Sequence, residues 1–335
     1  MDLTIPKRLD NENVCPSLKV QLTEWVSNWQ IDYRQALLAL FEKGCQFNRK
    51  FINIHTGEQK TPEYMKMNPL GQVPLLKDGE EVIVESEKII DYIDEEIKSG
   101  PILVPDLNTP VGKEVQRLRQ FIGGIRIEIT TFGLFFNPDL STSGVKVPKS
   151  YLKHLKGSSE KNVNSLEEAA LKYPDLRDSY IAKAEKSRQF FADAANKELV
   201  VQCLEEIEQK CDHLEECLRK SKNTVQGDEF WLTGPDFNAA DILLVVFMDR
   251  MVKLGLEGRY FCETKRPLLY DYFQRIGHRQ SVQLLRTEVK KLVSMFIWNR
   301  IKATVPYVAA LGLTIGLGVW FMKNKSAVIN LVVKK

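Results

Sequence analysis

The chain has 335 residues, room for two ordinary domains or one domain with appendages, and its 44% hydrophobic and 27% charged content is that of a globular protein. A formal net charge of +3, with 47 basic residues interleaved among 44 acidic ones, is too small to imply a nucleic-acid partner. Six scattered cysteines (Cys15, Cys45, Cys203, Cys211, Cys217, Cys262) and four histidines (His55, His154, His213, His278) show no metal-ligand spacing, so no metal is expected and the thiols read as reduced and cytosol-facing.

The first residues, "MDLTIPKRLDNENV", lack the apolar core of a secretory signal, and their acids argue against a mitochondrial presequence. A strand is expected over 17–25, "SLKVQLTEW". A helix follows from about Asp32 to Lys43, where Ala36, Leu37, Leu40 and Phe41 recur at three- and four-residue spacing. Gly44 stands where a helix end favours positive φ. A second strand is expected over 46–54. "VPLLKDGEEVIVES" then reads as a hairpin of Val73–Leu76 and Val82–Val84 around the Asp78–Gly79 turn. Ser86 is expected to cap a helix that runs to about Ile97.

This β-α-β, loop, β-β-α order is the thioredoxin-like arrangement. Pro74 within the strand pattern is then explained as a cis Val73–Pro74 peptide at the sheet edge. It leaves the Val73 N–H and C=O to pair with a peptide-like ligand, in the manner of an added strand; an edge-strand proline in trans is the alternative.

After "PILVPDLNTP" the patterning is helical. In "LVVQCLEEIEQKCDHLEECLRK" the residues Val200, Leu204, Ile207, Cys211, Leu214 and Leu218 form a narrow apolar seam. It suits an internally packed helix hairpin, with a coiled coil as the alternative. Asn238 is expected at a helix start, with Asp241 bonding back to the cap's N–H. Residues 303–322, "ATVPYVAALGLTIGLGVWFM", carry no charge and are bracketed by Arg300, Lys302, Lys323 and Lys325. At about 1.5 Å per residue such a helix matches a bilayer's hydrocarbon core. Its eight Leu, Ile, Val and Phe residues supply about −2.4 to −4.8 kcal/mol, a marginal span. Gly312 and Gly316 form the G-x-x-x-G spacing of a helix-pairing face, which carries the expectation of a homodimer.

"EYMKMNPLGQVPLL", followed by "VES" and "IIDYI", resembles the glutathione-binding half of cytosolic glutathione transferases, and "WLTGPDFNAADI" resembles the capped core helix of their all-α second domain. "YPDLRDSYIAKAEKSRQ" within a long insertion, with the apolar segment beyond, resembles the ganglioside-induced differentiation-associated protein 1 family. The resemblance implies an α/β thioredoxin-like N-terminal domain over 16–104. It further implies an all-α glutathione-transferase-like domain over 105–298, with a helical insertion at about 137–225, and one transmembrane tail anchor over 303–322.

It also implies a place in the mitochondrial outer membrane, with the N-terminal body facing the cytosol, and a role in mitochondrial fission and network shape. Whether the chain is an enzyme stays open. The holding residues are Gln72, Val73, Pro74, Glu85 and Ser86, with glutathione as ligand or co-substrate and no other cofactor. The thiol-activating Tyr, Ser or Cys of the family falls near Gln30, leaving Ser27 and Tyr33, each about three residues away, as weak catalytic candidates. A scaffold or redox/ligand sensor is therefore expected, with an active glutathione-dependent transferase as the alternative. The insertion is assigned to partner or membrane contacts, with a solvated loop and an ordinary helix pair as the alternative.

Overall fold

The computed structural model of the chain describes residues 21–24, 31–54, 56–141, 149–227, 229–292, 294–295 and 298. Ser27, the segment 303–322 and its Gly312 and Gly316 lie outside them. Among the described residues no helix is long and apolar enough to cross a membrane, and no group of three His, Cys, Asp or Glu side chains could hold a metal ion.

Strand β1 (Gln21–Glu24) lies parallel to β2 (Asn48–Phe51) and antiparallel to β3 (Leu75–Asp78), which pairs in turn with β4 (Glu81–Val84). The sheet order is β2-β1-β3-β4. Helix α1 (Asp32–Glu42) joins β1 to β2, α2 (Pro62–Met67) precedes β3, and α3 (Ser86–Glu96) follows β4. This is the expected thioredoxin-like unit. Residues 33–40 of α1 are all buried, because α3 covers one flank and a helix of the second domain another. The expected cap at Ser86 is displaced by one residue: Glu85 holds the cap position at φ 69°, and Ser86 is the first helical residue.

The helical domain comprises α4 (Pro110–Gly123), α5 (Ile127–Phe136), α6 (Lys149–Lys172), α7 (Arg177–Ala195), α8 (Lys197–Thr224), α9 (Ala239–Lys253), α10 (Glu257–Tyr260) and α11 (Pro267–His278). Helix α9 is its core: residues 239–251 are buried without interruption, packed against α4 and α1. Its start is fixed by a reciprocal cap. The Asn238 side chain accepts from the Ala240 N–H at 3.0 Å, and Asp241 Oδ2 accepts from the Asn238 N–H at 3.1 Å. Asp241 Oδ1 also accepts from the Leu232 N–H and the Tyr272 hydroxyl, each at 3.0 Å. At the far end of α1, Arg279 grips Glu42 with two hydrogen bonds at 2.6 and 2.7 Å, its guanidinium lying 4.0 Å from the Phe237 ring centroid.

The region expected to serve partners or membrane contacts is largely built into this domain. Val200, Leu204, Ile207, Cys211, Leu214 and Leu218 are all buried, with α8 packed on α5, α7 and α11. The seam is therefore core, and deleting residues 140–225 would remove the wall on which α5 and α11 rest. The α5–α8 crossing depends on a glycine: a Cβ at Gly133 would lie 2.3 Å from Val200 Cγ2. Gly133→Ala is expected to destabilise the chain by about 2 kcal/mol through this overlap, measured by urea unfolding. Val200→Ala placed on top of it should recover most of the loss, because it removes the colliding methyls.

Candidate functional site

Two adjoining depressions lie where the thioredoxin-like unit meets the helical domain. One is a cleft lined by Asn68, Leu70, Gln72, Val73, Pro74, Val84 and Glu85; the other is walled by Gln35, Glu87 and Glu128 together with apolar residues of α4, α5 and α9. Asp32 and Ser86 line both.

The cleft's floor is the segment between α2 and β3. The Val73–Pro74 peptide is cis. Pairing in β3 begins just beyond it, where the Thr23 hydroxyl accepts from the Leu75 N–H at 2.7 Å and donates to the Leu75 carbonyl at 2.9 Å. The expected strand start at Val73 is thereby moved to Leu75. Upstream, the Gln72 carbonyl accepts from the Tyr64 hydroxyl at 2.7 Å and from Asn68 Nδ2 at 2.8 Å. Among the described residues the backbone of Val73 makes no hydrogen bond, so both polar groups remain available beside the cleft.

At the other wall, the first turn of α3 presents Ser86. Its hydroxyl donates to Gln35 Oε1 at 2.8 Å and lies 3.5 Å from Asp32 Oδ1. The N–H groups of this turn have no partners within their own helix, which favours an anionic group in front of them. Asp32 is reached by water through the cleft yet enclosed on its other sides. That enclosure, reinforced by the like charge of Glu128, pushes its carboxyl up to about 6, against the pull of Ser86, Arg250 and Lys186. The side chain of Glu85 is exposed and pairs with Lys88 at 3.0 Å.

The cleft therefore offers a strand-like pair of backbone groups at one end. At the other it offers a carboxylate beside a helix start. A short peptide with an amino-acid head group fits that combination of donors and acceptors.

The expected residues fall unevenly on this geometry. Gln72, Val73, Pro74, Glu85 and Ser86 converge on the cleft. Tyr33 does not: it is 3% exposed and lines neither depression, because one residue of helix turns a side chain by about 100° away from its neighbour. That neighbour is Asp32, which sequence reasoning missed although it is the acid in α1's first turn, close to where the activator was sought. Gln35 and Asn68 were missed as well. Asn238 and Asp241 lie at the start of α9 and serve its cap.

The comparisons agree with this architecture. Residues 21–95 match the glutathione S-transferase N-terminal domain, and residues 176–280 match the glutathione S-transferase C-terminal domain, together more than half of the chain. The chain is similar to ganglioside-induced differentiation-associated protein 1-like 1 of Mus musculus, 26% identical over 273 residues, covering 79% of this chain and 73% of that one. It is also similar to glutathione S-transferase TCHQD of Arabidopsis thaliana, 25% identical over 255 residues, covering 76% and 85%. In three dimensions it resembles glutathione transferase F7 of Populus trichocarpa, with a TM-score of 0.55 at 16% identity, covering 82% of this chain and 99% of that one.

Proposed function

We propose, from the premise that this chain belongs to the glutathione S-transferase family on its ganglioside-induced differentiation-associated protein 1-like side, that it is a membrane-anchored glutathione-binding protein. In this reading it acts in mitochondrial fission and network organisation as a scaffold or redox/ligand sensor. The observation that carries the binding part is the unpaired backbone of Val73 set across the cleft from Ser86 and Asp32. The cysteinyl unit of glutathione pairs with Val73, the γ-glutamyl carboxylate meets Ser86 and the α3 N–H groups, and its ammonium meets Asp32. The anchor is residues 303–322, whose charge-free run between basic flanks supports a mitochondrial outer-membrane address with the body in the cytosol. The Gly312/Gly316 face supports pairing of two such helices.

Isothermal titration with glutathione tests the site. Saturable heat is expected at neutral pH, weakening below pH 6 as Asp32 takes up a proton and loses its hold on the ammonium. A titration without heat at millimolar glutathione would remove the reading. Turnover of glutathione with an aryl halide would instead replace the sensor by a transferase whose activator lies in residues 25–30. Protease added to intact mitochondria is expected to digest the body; protection until the outer membrane is ruptured would overturn the topology.

A further inference from the structure

We infer that the α6–α7 hairpin is a positioning element for the cleft, with the Lys183 ammonium holding the Leu70 and Gly71 carbonyls and so fixing the backbone that carries Gln72 and Val73. Its ligand, though not its geometry, rests on the glutathione reading.

The segment 68–73 has two faces. One lines the cleft through Asn68, Leu70, Gln72 and Val73. The other is held by α7: Lys183 Nζ donates to the Leu70 carbonyl at 2.7 Å and to the Gly71 carbonyl at 2.9 Å. Among the described residues no backbone N–H reaches these two oxygens. A compact ammonium with three donors can serve both at once. One turn earlier on the same helix face, the Tyr180 hydroxyl donates to the Lys60 carbonyl at 2.7 Å, just ahead of α2. The Lys60 ammonium itself bonds to Asn162 of α6, whose amide donates to Ser187 Oγ of α7 at 3.1 Å.

Both ends of α2 are thus tied to one hairpin. The space between the ties is apolar: Met65 of α2 is fully buried among Val163, Leu166 and Ala170 of α6 and Tyr180 and Ala184 of α7. Contact is close enough to require a glycine. Gly71 has φ +55°, and a Cβ there would stand 2.7 Å from Met65 Sδ, 2.9 Å from the Gln59 carbonyl and 3.1 Å from Lys183 Cε. The lysine stem therefore packs over the glycine whose carbonyl its head group binds. Burial lowers the Lys183 pKa to about 8, with Lys60 and Lys186 adding to the effect, so the donor is charged at neutral pH.

A hairpin outside the thioredoxin-like unit thereby sets the backbone two residues from the groups that meet the ligand. A displacement of about 1 Å in such groups is enough to weaken recognition substantially.

Hydrogen exchange on the full chain without ligand separates this role from simple stabilisation. In Lys183→Met, which keeps the stem over Gly71 but deletes the charge, the amides of Leu70 and Gly71, both hydrogen-bonded to Asn68, are expected to exchange about 10-fold faster, with α9 unchanged. Lys183→Arg should restore part of the protection, and Glu185→Gln, on the exposed side of α7, should change nothing. Tyr180→Phe keeps the ring and removes only the bond to the Lys60 carbonyl; it should speed exchange over residues 60–67. Glutathione affinity in Lys183→Met is expected to fall about 5- to 10-fold, as for loss of a preorganised contact. Unchanged exchange at Leu70 and Gly71 overturns the proposal, and so does faster exchange with unaltered affinity. A wild-type chain that binds no glutathione refutes the function proposed above and leaves the exchange rates alone to decide the clamp.

Discussion

Replacing Asp241 by alanine is expected to lower the stability of the chain by about 3–5 kcal/mol, a larger loss than that expected for Gly133→Ala. The carboxylate is fully buried and receives three hydrogen bonds, from the Leu232 N–H, the Asn238 N–H and the Tyr272 hydroxyl. Truncation leaves all three donors in a dry core, where each unmade bond costs about 1–3 kcal/mol. It also opens the first turn of α9, against which α1 and α4 pack. Thermal unfolding followed by tryptophan fluorescence should show a midpoint about 10 °C below wild type. Asp241→Asn keeps one acceptor oxygen and should lose about half as much. Wild-type stability in Asp241→Asn would show that shape at this position matters and its second acceptor does not.

Asp32→Asn is expected to act in opposite directions on binding and on stability. A charged hydrogen bond is worth about 1.5–3 kcal/mol, so losing it to the glutathione ammonium should weaken binding about 10- to 100-fold at pH 7.5. Stability should rise. The folded carboxyl titrates near 6 against an ordinary value of 3.8, so between those pH values the folded chain keeps a proton that the unfolded chain has released. Stability therefore falls as pH rises through that window and stays lowered above it. Water in the cleft screens the group, which reduces the penalty to about 1 kcal/mol. The neutral amide of the variant carries no such penalty: Asp32→Asn should melt a few degrees higher than wild type at pH 7.5, and its advantage should vanish near pH 3.8. A variant that binds glutathione normally, or that is destabilised at pH 7.5, would remove Asp32 from the site. A residue that weakens the fold where it enables binding is the expected pattern of a functional position.

What could be read from the sequence was local. The Asp78–Gly79 hairpin, the seam of α8 and the reciprocal cap of α9 each depend on residues a few positions apart, where spacing alone specifies geometry. Val73 and Ser86 stood out for the same reason, since a proline in a strand pattern and a serine before a helix are short-range signals. The helix start was misplaced by one residue because Glu85 adopts φ 69°, a conformation that no propensity would assign to glutamate. Asp32, Gln35 and Lys183 were invisible because their roles exist only after folding. Ser86 meets Gln35 across 51 residues of chain, and Lys183 meets Gly71 across 112. In the same way the α8 seam announced an apolar face but not its occupant, which the fold supplies from α5, α7 and α11.

Asp32 is a wall common to two chambers, and the second of them also carries the carboxylates of Glu87 and Glu128. Occupants of the two chambers are therefore thermodynamically linked through its proton. An apolar molecule that displaces water from the second chamber makes the charged carboxylate harder to sustain, and so loosens an ammonium held in the first. By reciprocity the ammonium repels that molecule by the same factor. A cation in the second chamber keeps the proton off the carboxylate but competes with the ammonium for the same charge, so it too loosens what the first chamber holds. Under the glutathione reading, occupancy of the first chamber therefore depends on what fills the second and not on glutathione alone.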